Sequence, residues 1–210
     1  MIGFENAQVY GWEAAIRGMR NPMNSWDKSD SMFYTYHDTG KQVVSLGEND
    51  LKLMKNLSKA GNDHGKFLRM ITVTVDINAP LYWWKEFDTY KVGTVANSCS
   101  TMHKIHAKEF TEDDFSIEHL NGGSKLYIYG LLDWLNECRQ KFLETKDKIY
   151  WWQMIQLLPS SYNQKRTVQL NYQVLKQMYL ARRQHKLDEW REFCYWCEDL
   201  PYFKEICLQE

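Results

Sequence analysis

Two short stretches of the sequence hold polar residues whose types and spacing could bind a ligand. The first is VGTVANSCST, residues 92–101, where small hydroxyl, amide and glycine groups take the place of bulky side chains. A loop of this composition lets the backbone approach a ligand closely. Its polar members, with the lysine that precedes it, are Lys91, Asn97, Ser98, Ser100 and Thr101. The stretch therefore predicts a ligand-facing loop.

The second stretch begins where a predicted strand ends at Asn171 and a predicted helix follows. Gln173 and Gln177 are four residues apart, so they would share one helical face, and Arg182 lies farther along the same helix. An asparagine at a helix start is most often an N-cap. A row of amides that ends in an arginine could also read the edges of a planar heterocycle. The sequence leaves both interpretations open.

The remaining chemical patterns favour structural roles. Cys194 and Cys197 have the spacing of half a zinc site or a redox pair, but no second pair completes it. We therefore predict two thiols on one helical face. His103, His106 and Glu109 recur every three residues, which supplies too few ligands for a supported metal site. The sequence also lacks a glycine-rich phosphate loop and a zinc-protease motif, so we expect no metal.

Composition narrows the classes of partner. The chain has 210 residues, 44% of them hydrophobic, and its formal net charge of −1 gives it no electrostatic attraction to nucleic acid or membranes. No stretch approaches the roughly 20 apolar residues that span a bilayer. Five cysteines, an odd number, and an opening without a secretory pattern favour reduced thiols. We expect a cytoplasmic protein.

Hydrophobic periodicity supplies the elements that would position these residues. KFLRMITVTVDIN, residues 66–78, predicts a strand because it alternates and is rich in β-branched residues. YNQKRTVQLN, residues 162–171, predicts a second strand that runs straight into a helix. APLYWWKEFDTY, residues 79–90, predicts a short helix with a proline in its first turn. Strands mixed with longer helices predict the α+β class, in one domain over residues 1–210.

Two local features of the remaining chain are also predicted. We expect Asn49 or Asp50 to cap a helix that Gly61 ends, and Ser124 to cap a long amphipathic helix. The segment 105–123 is charged and ends in a glycine pair, so we expect it to form a surface excursion.

In chain order, these elements and residues resemble the flavin-dependent thymidylate synthase family, of which the chain looks like a divergent member. The order is a strand, an Ala-Pro pair, a helix, a loop ending in Asn-x-x-Ser, a helix ending in Leu-Pro, a strand ending in Asn, and a helix with an Arg. The matching residues are Phe67, Ala79, Pro80, Asn97, Ser100, Leu158, Pro159, Tyr162, Asn171 and Arg182. The resemblance covers roughly residues 48–104 and 149–198.

The resemblance implies a small, mostly antiparallel sheet packed with long helices, in a homotetramer with shared active sites. It implies reductive methylation of the pyrimidine nucleotide dUMP to dTMP with FAD, NADPH and methylene-tetrahydrofolate. Arg182 would polarise the N3–C4 edge of the base so that negative charge can build at C5. The cofactor would contact Arg69, Tyr90, Lys91, Asn171, Gln173 and Gln177. The nucleotide would contact Lys85, Glu86, Asn97, Ser98, Ser100, Thr101 and Arg182.

The sequence departs from the family where the family binds anions. The family's Arg-His-Arg is replaced, at or near the same place, by Tyr90, Lys91 and Val92. Two expected arginines are replaced by Met102 and Ile155. Lysine and histidine cannot form the bidentate hydrogen bonds of a guanidinium, so we predict weaker dUMP binding unless other cations compensate. The candidates for that compensation are His103, Lys104, Lys165 and Arg166.

Two alternatives therefore stay open beside the synthase hypothesis. One is an enzyme of the same fold that modifies a different pyrimidine nucleotide, which an altered phosphate site would allow. The other is a non-catalytic scaffold that has lost flavin binding, which the missing Arg-His-Arg favours.

Overall fold

The computed structural model describes residues 1–38 and 42–209, which form six strands and eight α-helices. The strands are β1 (Gly3–Tyr10), β2 (Met32–Thr35), β3 (Gln42–Ser45), β4 (Thr72–Pro80), β5 (Val95–Ser98) and β6 (Asn163–Asn171). The helices are α1 (Trp12–Arg20), α2 (Glu48–Lys59), α3 (Leu81–Phe87), α4 (Gly122–Thr145), α5 (Lys148–Gln156), α6 (Tyr172–Arg182), α7 (Asp188–Glu198) and α8 (Phe203–Cys207). Mixed helix and sheet confirms the predicted α+β class.

The main sheet has four strands in the order β1-β4-β6-β5, and β2 pairs with β3 in a separate antiparallel hairpin. The two strands predicted over residues 66–78 and 162–171 are found as β4 and β6, and they form the centre of the four-stranded sheet. Along β4, buried residues such as Val73 and Val75 alternate with half-buried ones such as Thr74. This period of two is what places one face of a strand in a core.

Contacts group the chain into two compact units. Unit 1 contains Met1–Gly3, Ile77–Thr89 and Asn97–Arg166. Unit 2 contains the described residues of Phe4–Asp76, Tyr90–Ala96 and Thr167–Glu210. The single domain expected over residues 1–210 stays a prediction, and each unit is described by itself below.

The core of unit 1 lies between α4, α5 and the segment that precedes α4. The segment 105–123, expected as a surface excursion, places four apolar side chains in this core: Ile105, Phe110, Phe115 and Ile117. The backbone of Phe110 is fixed by Asn136 of α4, whose amide donates to the Phe110 carbonyl and accepts from its N–H, each at 2.9 Å. The many charged residues of the segment predict exposure, so composition alone does not indicate that these four residues are buried.

Aromatic side chains dominate the core of unit 2. Tyr172 lies between Trp12 and Phe203, with edge-to-face ring centroids 5.5 and 5.4 Å apart. Its hydroxyl donates to the carbonyl of Pro201 at 2.6 Å. Burial raises the pKa of Tyr172 well above its usual value, so the phenol stays a neutral hydrogen-bond donor.

Two predicted helix caps are wrong. At α2, the side chain of Asp30 accepts from the N–H groups of Asn49 and Asp50, at 2.9 and 3.0 Å, so neither predicted residue is the cap. At α4, the side chain of Asn121 accepts from the N–H of Ser124 at 2.9 Å. The cap is therefore Asn121, three residues before the predicted Ser124. An N-cap requires a free oxygen near the first turn, and Asp30 supplies one from 19 residues away.

Cys194 and Cys197 are both buried on α7, which confirms two thiols on one helical face. Burial raises the pKa of Cys194 to about 11 and that of Cys197 well above its usual value, so both stay protonated and unreactive near neutral pH.

Across residues 1–38 and 42–209, no helix combines the length and apolar character needed to cross a membrane.

Candidate functional site

Arg182, at the C-terminal end of α6, is held by two aromatic side chains of unit 2. Its Nε donates to the hydroxyl of Tyr90 at 2.9 Å. Its guanidinium carbon lies 4.7 Å from the centroid of the Trp190 ring and 5.5 Å from that of the Tyr90 ring. Trp190 is fully buried, whereas Arg182 is half-buried. The arrangement fixes a permanent cation against rigid rings while part of the side chain still meets solvent.

The start of α6 explains how Arg182 is placed. Asn171 ends β6, and its side-chain oxygen accepts from the N–H of Val174 at 3.1 Å, which is an N-cap. Gly93 has φ +81, and a Cβ there would lie 3.0 Å from the Val174 side chain and 3.3 Å from the Asn171 amide. Residues 90–94 therefore pack closely on the first turn of α6, and at Gly93 only glycine fits.

The residues predicted to bind the cofactor all lie in unit 2 but differ in exposure. Tyr90, Asn171 and Gln173 each have a side-chain polar atom that bonds within the protein. Gln173 is buried, and its amide donates to the Asn62 side chain at 3.0 Å. The other three, Arg69, Lys91 and Gln177, are exposed. Because Gln173 is buried and Gln177 is exposed, the expected row of amides does not face a ligand together.

Asn171 gives a direct test of its role as a cap. Replacing Asn171 with alanine is expected to lower the free energy of unfolding by about 1 kcal/mol, because the Val174 N–H loses its acceptor. Serine at the same position retains a capping oxygen and should retain most of the stability. Urea unfolding of the three proteins measures both effects. Equal stability of the alanine and serine variants would contradict the cap.

The residues predicted to bind the nucleotide, apart from Arg182, lie in unit 1. Lys85 and Glu86 are on α3. The supposed loop contains β5, so Asn97 and Ser98 are strand residues, and all four residues of β5 are exposed. After β5, the hydroxyl of Ser100 accepts from the N–H groups of Met102 and His103 at 3.2 and 2.9 Å. The next residue, Thr101, is half-buried. The loop prediction is therefore wrong at its centre, because β5 pairs with β6 there.

A hydrogen-bond network that was not predicted from the sequence fixes this part of unit 1. Gln164, buried on β6, donates to the carbonyl of Cys99 at 2.7 Å and accepts from Nε of Arg166 at 2.9 Å. Arg166 also lies over the Trp84 ring, 4.2 Å from its centroid, and pairs with Asp88 at 2.7 Å. Gln164 and Arg166 are two residues apart on a strand, so their shared face was a signal available in the sequence.

The three-residue spacing of His103, His106 and Glu109, from which we expected no metal site, does not place these residues on one helical face. His103 and His106 lie in turns rather than in a helix, and His106 packs its ring against Phe142, with centroids 4.9 Å apart. In the part of the chain that the structure describes, no group of three or more histidine, cysteine, aspartate or glutamate side chains could hold a metal ion.

Comparison with known proteins shows what the fold resembles. No protein-family model and no curated protein sequence matches the chain. One similar solved structure is the flavin-dependent thymidylate synthase ThyX from Helicobacter pylori complexed with FAD and dUMP, with a TM-score of 0.67, 15% identity, and coverage of 97% of this chain and 98% of that one. A second structure of that enzyme with FAD and dUMP has a TM-score of 0.68 and 16% identity, and the match covers 100% of this chain and 99% of that one. The chain thus has the fold of the flavin-dependent thymidylate synthases over its whole length.

Proposed function

We propose that this protein is a divergent flavin-dependent enzyme that methylates dUMP reductively to dTMP, with NADPH and methylene-tetrahydrofolate as co-substrates. The observation that carries the proposal is Arg182, a fixed and partly accessible cation on α6 in a fold shared with structures that contain FAD and dUMP. We further propose a homotetramer whose active sites are shared between subunits.

Arg182 suits the role of polarising a pyrimidine. A guanidinium keeps its charge at any physiological pH, and it presents N–H donors in a fixed plane. Directed at the N3–C4 edge of the base, these donors stabilise negative charge as it develops toward C5, where the methylene group is accepted. Such a cation is effective when it is positioned before the reaction, which the Tyr90 hydrogen bond and the Trp190 ring achieve.

The residues predicted to hold FAD fit that group in part. Arg69 and Lys91 are exposed cations, which suit the diphosphate of a flavin dinucleotide. Tyr90, Asn171 and Gln173 do not fit a direct contact, because their polar groups are engaged within unit 2. Arg69, Lys91 and Gln177 would therefore hold the flavin, which when bound supplies the hydride that completes the methyl group.

For the nucleotide, the exposed side chains of β5 are the best candidates. Asn97 and Ser98 present an amide and a hydroxyl that can bond to the sugar or base. Arg166 was one of the cations expected to bind the phosphate, but its guanidinium already pairs with Asp88. The phosphate would therefore be bound by His103 and Lys104, which are exposed.

An absorbance experiment tests the proposal. The purified protein is incubated with FAD, desalted, and titrated with dUMP while the visible spectrum is recorded. We expect a retained flavin band that shifts with dUMP, and a turnover assay with NADPH and methylene-tetrahydrofolate should then yield dTMP. The variant with alanine at both Arg69 and Lys91 should retain less flavin. A wild-type protein that retains none would contradict the proposal.

A second function, nucleotide binding by a scaffold without flavin, is favoured by one observation. Three of the six residues predicted to contact the cofactor, Tyr90, Asn171 and Gln173, are occupied by contacts within the protein. Calorimetric titration with dUMP and with other pyrimidine nucleotides, in the absence of FAD, separates the two functions. Binding that needs no flavin, from a protein that retains none, would support the scaffold.

A further inference from the structure

We infer that Tyr90 is a positioning residue for Arg182 rather than a contact of the cofactor, and that Trp190 sets the plane of the guanidinium. The inference rests on the proposed function, in which Arg182 polarises the nucleobase. It assigns a new role to a position that the family resemblance had given to flavin binding.

The hydrogen bond to Nε determines the direction of the guanidinium. Arginine has a single N–H on Nε, and the hydroxyl of Tyr90 accepts it at 2.9 Å. Because Nε, Cζ and the two terminal nitrogens lie in one plane, anchoring Nε restricts rotation of the whole fork. The terminal edge of Arg182 is then held in one direction, as bidentate recognition of a base edge requires.

The Trp190 ring supplies the second constraint. The Arg182 guanidinium carbon lies 4.7 Å from the ring centroid, within the range of a cation–π contact. The ring cannot easily move, because Trp190 is fully buried and packs edge to face against Phe193, with centroids 5.5 Å apart. The Tyr90 ring packs beside the same tryptophan, with its centroid 6.2 Å from that of Trp190.

Tyr90 is itself held in place, as a positioning residue must be. The hydroxyl of Thr94 donates to the Tyr90 carbonyl at 2.7 Å. Gly93, between them, allows the backbone to lie against the first turn of α6. The segment 90–94 is thus tied to the helix that carries Arg182 at its other end, so that the phenol and the guanidinium belong to one packed body within unit 2.

The test uses Tyr90→Phe, which removes the hydroxyl and leaves the ring. Selective ¹⁵N labelling of arginine reports the exchange of the Nε–H, and the Arg182 signal is assigned by its absence from Arg182→Lys. We expect a slowly exchanging Nε–H in the wild type that is lost in Tyr90→Phe. We also expect the Kd for dUMP, measured by calorimetry, to rise roughly ten- to a hundredfold. Flavin retention should not change in Tyr90→Phe. If Tyr90 contacted the cofactor directly, flavin retention would fall.

Tyr179→Phe is the matched control, because Tyr179 lies on the same helix and its hydroxyl donates to Glu198 at 2.7 Å. It should leave the Arg182 Nε–H and the Kd for dUMP unchanged. Fast exchange of the Nε–H in the wild type would overturn the inference. So would a Kd for dUMP that is unchanged in Tyr90→Phe, if Arg182→Ala is found to weaken dUMP binding. A wild type that binds no dUMP but loses Nε–H protection in Tyr90→Phe would support the contact and refute the proposed function.

Discussion

Replacing Arg182 with alanine is expected to lower turnover of dUMP by about 100- to 1,000-fold, because the developing charge on the pyrimidine loses its fixed cation. Folding should persist. The side chain is half-buried, and the Tyr90 hydrogen bond and the Trp190 stacking together contribute about 1–2 kcal/mol at such a site. Turnover should therefore fall far more than stability, and single-turnover kinetics with a thermal unfolding curve on the same preparation measures both.

Arg183→Ala is the control for Arg182→Ala. Arg183 follows directly in the sequence, is exposed, and has the same charge, so its loss should leave turnover close to that of the wild type. Arg182→Lys adds a second comparison, since lysine retains the charge but has no Nε–H for Tyr90 and no planar fork. We expect the lysine variant to resemble the alanine variant. Wild-type turnover in Arg182→Ala would show that another residue activates the base.

The parts of the structure that could be predicted from the sequence are those whose determinants are local. The β6–α6 junction is one: the stretch YNQKRTVQLN predicts the strand, and Asn171 marks the start of the helix. Arg182 could be singled out because the family resemblance places its base-activating arginine at this position of the helix. The buried thiols Cys194 and Cys197 follow from the apolar face of α7 in the same way.

The parts that could not be predicted depend on partners that are distant in the sequence. Gln173 was assigned to a ligand, but its partner Asn62 lies 111 residues away. Gly93 belongs to a stretch that suggested ligand approach, yet the surface it approaches is the protein's own helix α6. The charges of the segment 105–123 predict a surface excursion, whereas its apolar residues pack on α4 and α5. Periodicity predicts which face of an element is apolar but does not say what covers it.

The second large effect is expected at the buried ion pair of Arg20 and Asp50 in unit 2. Arg20 is 3% exposed and Asp50 is fully buried, with Arg20 nitrogens 2.7 Å from an Asp50 oxygen. The other Asp50 oxygen accepts from the Ser29 and Ser31 hydroxyls and from the N–H groups of Asp30 and Ser31. Arg20 also donates to the carbonyls of Ser25 and Lys28, so the pair ties residues 25–31 to α1 and α2.

Asp50→Asn is expected to lower the free energy of unfolding by about 3–5 kcal/mol, because it leaves the Arg20 charge buried without its counterion. Glu137→Gln is the control. Glu137 forms an exposed pair with Lys141 one turn away on α4, and such surface pairs add little to stability. Urea unfolding at neutral pH compares the two variants. A small loss in Asp50→Asn would show that the amide replaces the carboxylate as an acceptor and that its charge is not required.

The same pair predicts how stability depends on pH. Burial alone would raise the pKa of Asp50, but hydrogen bonds from Ser31, Ser29 and Arg20 and from the backbone of Asp30 together lower it. The unfolded chain, with an aspartate pKa of about 3.9, therefore binds a proton at a higher pH than the folded protein does. The Asp50 contribution is complete above that value and is lost as the pH falls through the lower pKa of the folded state. The stability difference between wild type and Asp50→Asn should thus be constant at neutral and mildly acidic pH and shrink below a pH of about 3.9. A difference that already shrinks near neutral pH would mean that the pKa of Asp50 is raised.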